Sequence, residues 1–171
     1  MIDDSGPVDP EYNRRGGFPN FAAAQPGPGF GRFLTAMRRA QDLAVSADPD
    51  PDTWERAADL AEQLVELLGP FDAAEGAGPA NRVPTLPGTG SLLMPPYKVV
   101  RFEPDGVELQ VTFSRFSVGG NYAVHGGVLP LLFDALFGMM IHAAERPISR
   151  TAFLHVDYRN VTPIDTALTA R

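Results

Sequence analysis

The first half of the chain contains two stretches in which apolar residues recur with the period of an α-helix. In the first, apolar residues from Phe33 to Ala44 follow one helical face, which predicts a helix over about 31–45. The second is predicted to begin at Asp52, whose carboxylate can cap it in a box-like pattern with Glu55. It is predicted to end at Gly69-Pro70. Together they predict a helical hairpin over residues 31–69.

The two segments that flank this hairpin have no periodicity and are rich in glycine and proline. Residues 1–30 are predicted to be disordered or extended. Residues 70–97 are predicted to be a long linker, of the kind that is functional or joins two folding units.

From residue 98 onwards, apolar and polar side chains alternate as they do in half-buried strands. Residues 98–102 and 107–114 predict a hairpin that turns at Pro104-Asp105-Gly106. Residues 152–159 alternate in the same way and predict a third strand, and residues 166–171 predict the start of a fourth.

Between these strands lies an almost wholly apolar stretch, 128–144, whose only ionisable residues are Asp134 and His142. It is at the short limit for a membrane span and contains a carboxylate, so a buried core helix is the better prediction. We expect His142 to be a core or interface residue of this helix. An apolar helix of this kind needs a sheet over most of its surface. We therefore expect C-terminal strands that are absent from this chain, or an edge that another chain supplies.

The start of this helix and its carboxylate are the best candidates for chemistry. Gly126-Gly127 lies where the helix would begin, and free N–H groups there can hold an oxyanion. Asp134 is predicted to be buried on the apolar helix, which is costly for a carboxylate without a partner. A site for an oxyanion and a carboxylate on one helix are the groups that acyl-transfer chemistry uses. The glycine pair could equally be a plain structural turn, and a capping role for His125 is favoured over acid–base catalysis.

Composition excludes several other classes of function. The chain has 171 residues, 44% of them hydrophobic and 20% charged, as in a globular protein. A net charge of −7 without a basic block argues against nucleic acid or an anionic membrane as the main partner. The lack of cysteine excludes thiolate catalysis, and the three histidines lack the spacing of a metal site. The acidic N-terminus has no apolar signal region, which predicts a cytoplasmic protein.

The order of hairpin, glycine turn, apolar helix and long strand resembles the hotdog fold. This is an α+β fold in which a curved antiparallel sheet wraps one long central helix. Within that fold, the sequence over about 98–171 resembles the PaaI-like and THEM4-like acyl-CoA thioesterases. The resemblance is carried by His125-Gly126-Gly127, by Asp134 at the family's spacing from the histidine, and by the residues from Thr151 to Tyr158.

The resemblance implies hydrolysis of an acyl-CoA thioester to a carboxylic acid and CoA. Gly126 would donate its N–H to the thioester carbonyl, and Asp134 would attack the carbonyl or activate water. No cofactor is implied, because the CoA thioester is the substrate. The other candidate residues are, for catalysis, His125 and Thr151 and, for substrate binding, Gly127, Asn121 and Arg159. Some family members carry an asparagine where this chain has Gly119.

The spacing of the two main candidates constrains the assembly. Eight residues separate Gly126 from Asp134, so on one helix they lie roughly 12 Å apart. They cannot both reach one carbonyl, so the resemblance implies a site shared between subunits of a homodimer or a dimer of dimers.

Two other hotdog functions were weighed against the thioesterase. A non-catalytic protein that binds acyl-CoA as a sensor or scaffold would need no carboxylate, whereas Asp134 is present. A dehydratase would carry a histidine where this chain has Met139. The acyl chain and the choice between nucleophile and general base for Asp134 stay open.

Overall fold

The computed structural model describes residues 22–147 and 149–171. Of the stretch predicted to be disordered or extended, residues 1–21 therefore lie outside the described residues. The described helices are α1 (Pro28–Ala44), α2 (Pro51–Leu68) and α3 (Val128–Ala143). The described strands are β1 (Lys98–Glu103), β2 (Gly106–Thr112), β3 (Val118–Gly120), β4 (Ala123–Val124) and β5 (Ala167–Ala170). Short 3₁₀ turns span Gly69–Phe71, Pro87–Gly90 and Arg115–Ser117.

Both predicted N-terminal helices form, although their starts differ from the predicted ones. Helix α1 begins at Pro28, because a proline is tolerated in the first turn, where its missing N–H leaves no bond unmade. Helix α2 is capped by Asp50, not by Asp52 as predicted: the Asp50 carboxylate accepts a hydrogen bond of 2.8 Å from the Thr53 N–H. That bond holds the pKa of Asp50 below its usual value.

The two helices differ in how they attach to the rest of the chain. Helix α1 buries Leu34, whereas none of the side chains of α2 is buried. Trp54, Val65 and Leu68 on α2 are 43%, 71% and 46% exposed. The apolar face of α2, from which a packed hairpin is predicted, is thus open to solvent in the single chain. The predicted division of the chain into domains stays a prediction.

The glycine- and proline-rich segment after α2 is more ordered than the predicted linker. The Arg38 guanidinium of α1 donates hydrogen bonds to the carbonyl oxygens of Ser91 and Met94, at 2.5 and 3.1 Å. Partial burial lowers the pKa of Arg38 from its usual value. Further along, Tyr97 is buried and its carbonyl accepts the Gly88 N–H at 2.8 Å. Residues 83–97 therefore form a fixed layer between α1 and the sheet.

The predicted β-hairpin is present and forms two strands of a three-stranded antiparallel sheet ordered β1-β2-β5. Strand β2 pairs with β1 through Lys98↔Gln110 and with β5 through Gln110↔Thr169. As its alternation predicts, β2 buries one face, with Val107, Leu109 and Val111 at 2%, 0% and 2% exposure. Helix α3 packs on this face through Leu132 and Leu136, which makes the main core.

The third predicted strand, over residues 152–159, is not formed. Residues 151–161 contain no strand, and no backbone hydrogen bond joins them to another part of the described chain. Phe153, Tyr158 and Val161 are 86%, 59% and 77% exposed. A strand requires a neighbour for its N–H and C=O groups, and the described chain offers none beside this segment. The predicted fourth strand is confirmed as β5.

Helix α3 covers most of its predicted span but is not buried all round. Pro130 lies in its first turn, where the missing N–H would have no helical acceptor. Leu132, Leu136 and Ala143 are buried against the sheet. Phe137, Met140 and Ile141 lie on the open side and are 42%, 39% and 37% exposed. None of the described helices is long and apolar enough to cross a membrane.

Candidate active site at the start of helix α3

The turn that leads into α3 is held by backbone hydrogen bonds on both sides. The Val124 N–H donates to the Thr162 carbonyl at 2.8 Å, and the His125 N–H donates to the Ser117 carbonyl at 2.7 Å. Gly119 passes so close that an added Cβ would lie 2.8 Å from the Cα of His125. A side chain at this position would therefore displace the His125 backbone.

The peptide unit between Gly126 and Gly127 is fixed at both of its polar atoms. Its N–H, which belongs to Gly127, donates to Nδ1 of His125 at 3.0 Å. Its oxygen, which belongs to Gly126, accepts a hydrogen bond of 2.8 Å from the Tyr158 hydroxyl. The His125 side chain thus accepts a backbone hydrogen bond inside the turn, and its part in catalysis stays a prediction.

The preceding peptide unit leaves one donor free. The His125 carbonyl accepts the Val128 N–H at 2.9 Å. The Gly126 N–H, by contrast, has no acceptor among residues 22–147 and 149–171. It stands just before the first turn of α3, where the helix dipole favours negative charge. A fixed, unpaired donor at this place can bind an oxyanion or a polarised carbonyl.

Asp134 is exposed in the single chain, so the prediction that it is buried is wrong. It lies on the open side of α3, beside the exposed Phe137. The sequence shows only that its helical neighbours are apolar, and those neighbours divide between a covered and an open side. The carboxylate therefore keeps its contact with water, and its desolvation cost in one chain is small.

Tyr158 is the residue of this site that the sequence interpretation did not select. Its ring lies beside Gly126, where an added Cβ would be 3.5 Å from it, and its hydroxyl binds the Gly126 carbonyl. The signal was present, because Tyr158 ends the strand-like pattern that supports the family resemblance. What the sequence does not show is that this tyrosine crosses to the glycine turn.

The other predicted site residues are spread over the surface. Asn121 has a positive φ of 47° and forms the turn between β3 and β4 with Tyr122, whose φ is 57°. Both line a small cavity together with Phe116. Thr151 is exposed, and the exposed Arg159 donates to Asp157 at 3.4 Å. These three residues are not brought together with the Gly126 turn by any contact among the described residues.

His142, predicted to be a core or interface residue, is exposed in the single chain. Its ring centroid lies 5.8 Å from that of Phe102 on β1, in a tilted arrangement. It stands near the C-terminal end of α3, two helical turns beyond Asp134, and takes no part in the glycine turn.

Comparison with known proteins gives a likeness at the level of structure. No protein-family model matches the sequence, and no curated protein matches it. Among solved structures, a crystal structure of a thioesterase superfamily protein matches with a TM-score of 0.69 and 26% sequence identity. The match covers 86% of this chain and 80% of the other. The arrangement of helices and antiparallel sheet is therefore consistent with the α+β hotdog fold of the thioesterase superfamily.

Proposed function

We propose that the chain hydrolyses acyl-CoA thioesters to a carboxylic acid and CoA. The observation that carries this proposal is the unpaired Gly126 N–H, which stands at the start of α3 between two fixed carbonyl groups. The structural likeness to a thioesterase superfamily protein supports the same reaction class. Neither a metal nor a cofactor is needed for the steps described next.

The thioester carbonyl would accept the Gly126 N–H, and the positive end of α3 would stabilise the negative charge that develops on its oxygen. Asp134 would then act in one of two ways. As a general base it would take a proton from water, and the hydroxide would add to the carbonyl carbon. As a nucleophile it would form a mixed anhydride that water then opens. In both cases the C–S bond breaks, and the thiolate of CoA leaves and is protonated.

The two groups would come from different subunits of a homodimer or a dimer of dimers. Within one helix they are roughly 12 Å apart, too far to act on the same carbonyl. Asp134 is exposed, and its neighbours on the open side of α3 are apolar, among them Phe137 and Ile141. A second subunit covering this side would remove that apolar surface from water and bring Asp134 to the facing glycine turn.

The remaining candidates have lesser roles in this proposal. His125 and Tyr158 would hold the glycine turn, and Gly127 would allow the close approach of the substrate. Thr151 would lie near the reacting carbonyl of a site on a second subunit, because no contact among the described residues brings it to the glycine turn of its own chain. Arg159, which is exposed, would meet a CoA phosphate. Asn121 is the weakest candidate, because its left-handed backbone already explains it as a turn residue.

The direct test is a thiol-release assay of the purified chain against a panel of aliphatic and aromatic acyl-CoAs. We expect release of free CoA that depends on both protein concentration and acyl group. Absence of turnover with every substrate would contradict the proposal. Acyl-CoA binding without turnover would instead favour the non-catalytic sensor or scaffold.

A further inference from the structure

A second feature of α3 lies at its C-terminal half, away from the glycine turn. There an open cavity of about 500 Å³ runs between the helix and the fixed layer 83–97. Its apolar walls include Ala135, Gly138 and Met139 from the helix, and Met94 and Tyr97 from the layer. The volume falls within the range of about 300–1,000 Å³ that is usual for small-molecule sites.

The layer 83–97, which forms the wall opposite the helix, is held by hydrogen bonds. Several of its polar groups are already bonded within the protein and are not available to a ligand. Arg38 binds the carbonyl of Met94, and the Gly88 N–H binds that of Tyr97. Burial raises the pKa of Tyr97, and a hydrogen bond with Thr89 opposes this shift. The Thr89 hydroxyl in turn donates to the Gly88 carbonyl at 2.8 Å. The cavity presents mainly apolar surface, and its polar lining comes from Thr89, Asn81, His142, Arg146 and Ser149.

On α3, the lining of the cavity begins at Ala135, the residue after Asp134, and extends towards the C-terminal end of the helix. Gly138 lies one helical turn after Asp134, a rise of about 6 Å along the axis. From Ala135 to His142 the lining extends about 10 Å along the helix, longer than a single aromatic ring requires. The exposed His142 lies at its far, solvent side. This shape suits a flexible aliphatic chain whose reacting end lies near Asp134.

Gly138 lines the cavity without contributing a side chain to it. A Cβ added to it would have no atom within 4 Å, so no packing contact in the chain requires a glycine. Its backbone φ is in the normal range for any residue, and glycine is disfavoured inside a helix. The chain thus has a poor helix former at a position of the cavity wall where a longer side chain would take up space.

We propose that this cavity binds the aliphatic acyl chain of the thioester and that Gly138 and Met94 set the accepted chain length. The proposal rests on the proposed function, which identifies the reacting end of the ligand as a CoA thioester. It adds the substrate class, an aliphatic acyl group, and the wall that the fixed layer 83–97 supplies.

The experiment compares two variants of opposite expected effect. Gly138→Leu fills the cavity, and Met94→Ala enlarges it. Gly29→Leu is the matched control, because Gly29 lies in α1 and is equally free of neighbours within 4 Å. Binding of non-hydrolysable S-hexyl-CoA and S-hexadecyl-CoA is measured by calorimetry, and kcat/KM is measured for acyl-CoAs of the same chain lengths.

We expect Gly138→Leu to weaken S-hexadecyl-CoA binding about fifteenfold if the leucine displaces two methylenes, because each buried methylene contributes a factor of roughly four. Binding by the Gly29→Leu control should change less than about twofold. S-hexyl-CoA binding to Gly138→Leu should weaken less than S-hexadecyl-CoA binding, because a hexyl chain ends close to Gly138. Met94→Ala should move the preference towards longer chains. If Gly138→Leu fails to fold, the chain-length preference of Met94→Ala tests the proposal by itself.

The outcomes separate this inference from the proposed function. Turnover of acyl-CoAs with an unchanged chain-length profile in both variants would overturn the inference and leave the thioesterase standing. Binding of S-hexadecyl-CoA that weakens in Gly138→Leu, without turnover in the wild type, would support the cavity and overturn the thioesterase. No difference in wild-type affinity between the hexyl and hexadecyl compounds would overturn the cavity assignment.

Discussion

The two ends of α3 are built in different ways. At its start, the backbone is fixed by short hydrogen bonds, and the Gly126 N–H has no acceptor among the described residues. Towards its end, the helix carries small and flexible apolar side chains and borders an open cavity. The first arrangement is rigid and polar, and the second is adaptable and apolar.

This contrast assigns separate tasks to the two ends in the proposed reaction. A fixed donor is useful for stabilising charge in a transition state, because it needs no reorganisation when the charge develops. An apolar cavity contributes binding energy in proportion to the surface that the ligand buries. Changes at the start of α3 should therefore lower kcat for every substrate, whereas changes near its end should alter chain-length preference. Asp134 lies between the two regions, and its substitution should lower kcat for every substrate, as changes at the start of α3 do.

The largest effect is expected for Asp134→Ala. Loss of a positioned base or nucleophile should lower kcat by about two or more orders of magnitude for all chain lengths. Asp134→Asn should lower kcat equally, which separates charge from volume. Because Asp134 is exposed, the melting temperature should hardly change. Steady-state kinetics and thermal unfolding are the measurements, and a kcat above a third of the wild-type value would contradict the proposed mechanism.

The next effect is expected for Gly126→Pro, which removes the proposed donor. Loss of one such donor should lower kcat roughly a hundredfold to a thousandfold. Gly126→Ala is the matched control: it keeps the N–H, and its Cβ would meet the Tyr158 ring at an ordinary distance of 3.5 Å. The alanine variant should keep most of its activity. Equal losses in the two variants would show that bulk, and not the N–H, matters at this position.

The same variants test whether the site is shared between subunits. Mixing inactive Gly126→Pro and Asp134→Ala chains should restore part of the activity, because a hybrid dimer contains one intact pair of groups. Subunit exchange is verified by mass spectrometry of differently tagged chains. If exchange is complete and no activity returns, the two groups do not act across an interface.

The contrast between β2 and residues 152–159 shows how far the sequence predicts this fold. Both stretches alternate apolar and polar residues, but only β2 is paired, and it buries Leu109 completely. Alternation shows that a stretch can lie half-buried in a sheet, and it carries no information on whether a neighbouring strand is available. The hairpin turn is local, so the partner of β2 could be predicted from nearby residues.

The candidate site likewise has features that local sequence determines and features that depend on distant residues. The helix start after Gly127 and the position of Asp134 on that helix follow from local pattern and were predictable. The hydrogen bond from Tyr158 to Gly126 joins residues 32 positions apart, and it depends on where an unpaired segment crosses the surface. The exposure of Asp134 likewise depends on which side of α3 the sheet covers. Local sequence determines neither of these.

A smaller effect is expected for Tyr158→Phe, which removes only the hydroxyl bonded to the Gly126 carbonyl at 2.8 Å. A hydrogen bond of this type is worth about 0.5–1.5 kcal/mol, so kcat should fall by up to roughly tenfold. KM should stay nearly constant if the tyrosine positions the turn and does not bind substrate. Steady-state kinetics across chain lengths gives both values. A raised KM with an unchanged kcat would show instead that Tyr158 contacts the substrate.

Arg38→Ala is expected to have the smallest effect on turnover. It also tests most directly whether the start and the end of α3 act independently. This change leaves the carbonyls of Ser91 and Met94 without their donor and loosens the wall of the cavity from the outside. Unfolding should become easier by about 1–3 kcal/mol, the usual cost of leaving partly buried polar groups unpaired. A looser wall should discriminate less between long and short acyl chains. The kcat for the shortest chains should stay within about twofold, because the hydrogen bonds of Arg38 go to Pro87, Ser91 and Met94 and not to the glycine turn. Urea unfolding and kcat/KM over the substrate panel measure the two effects. If Arg38→Ala lowered kcat for short and long chains alike, the start and the end of α3 would not be independent.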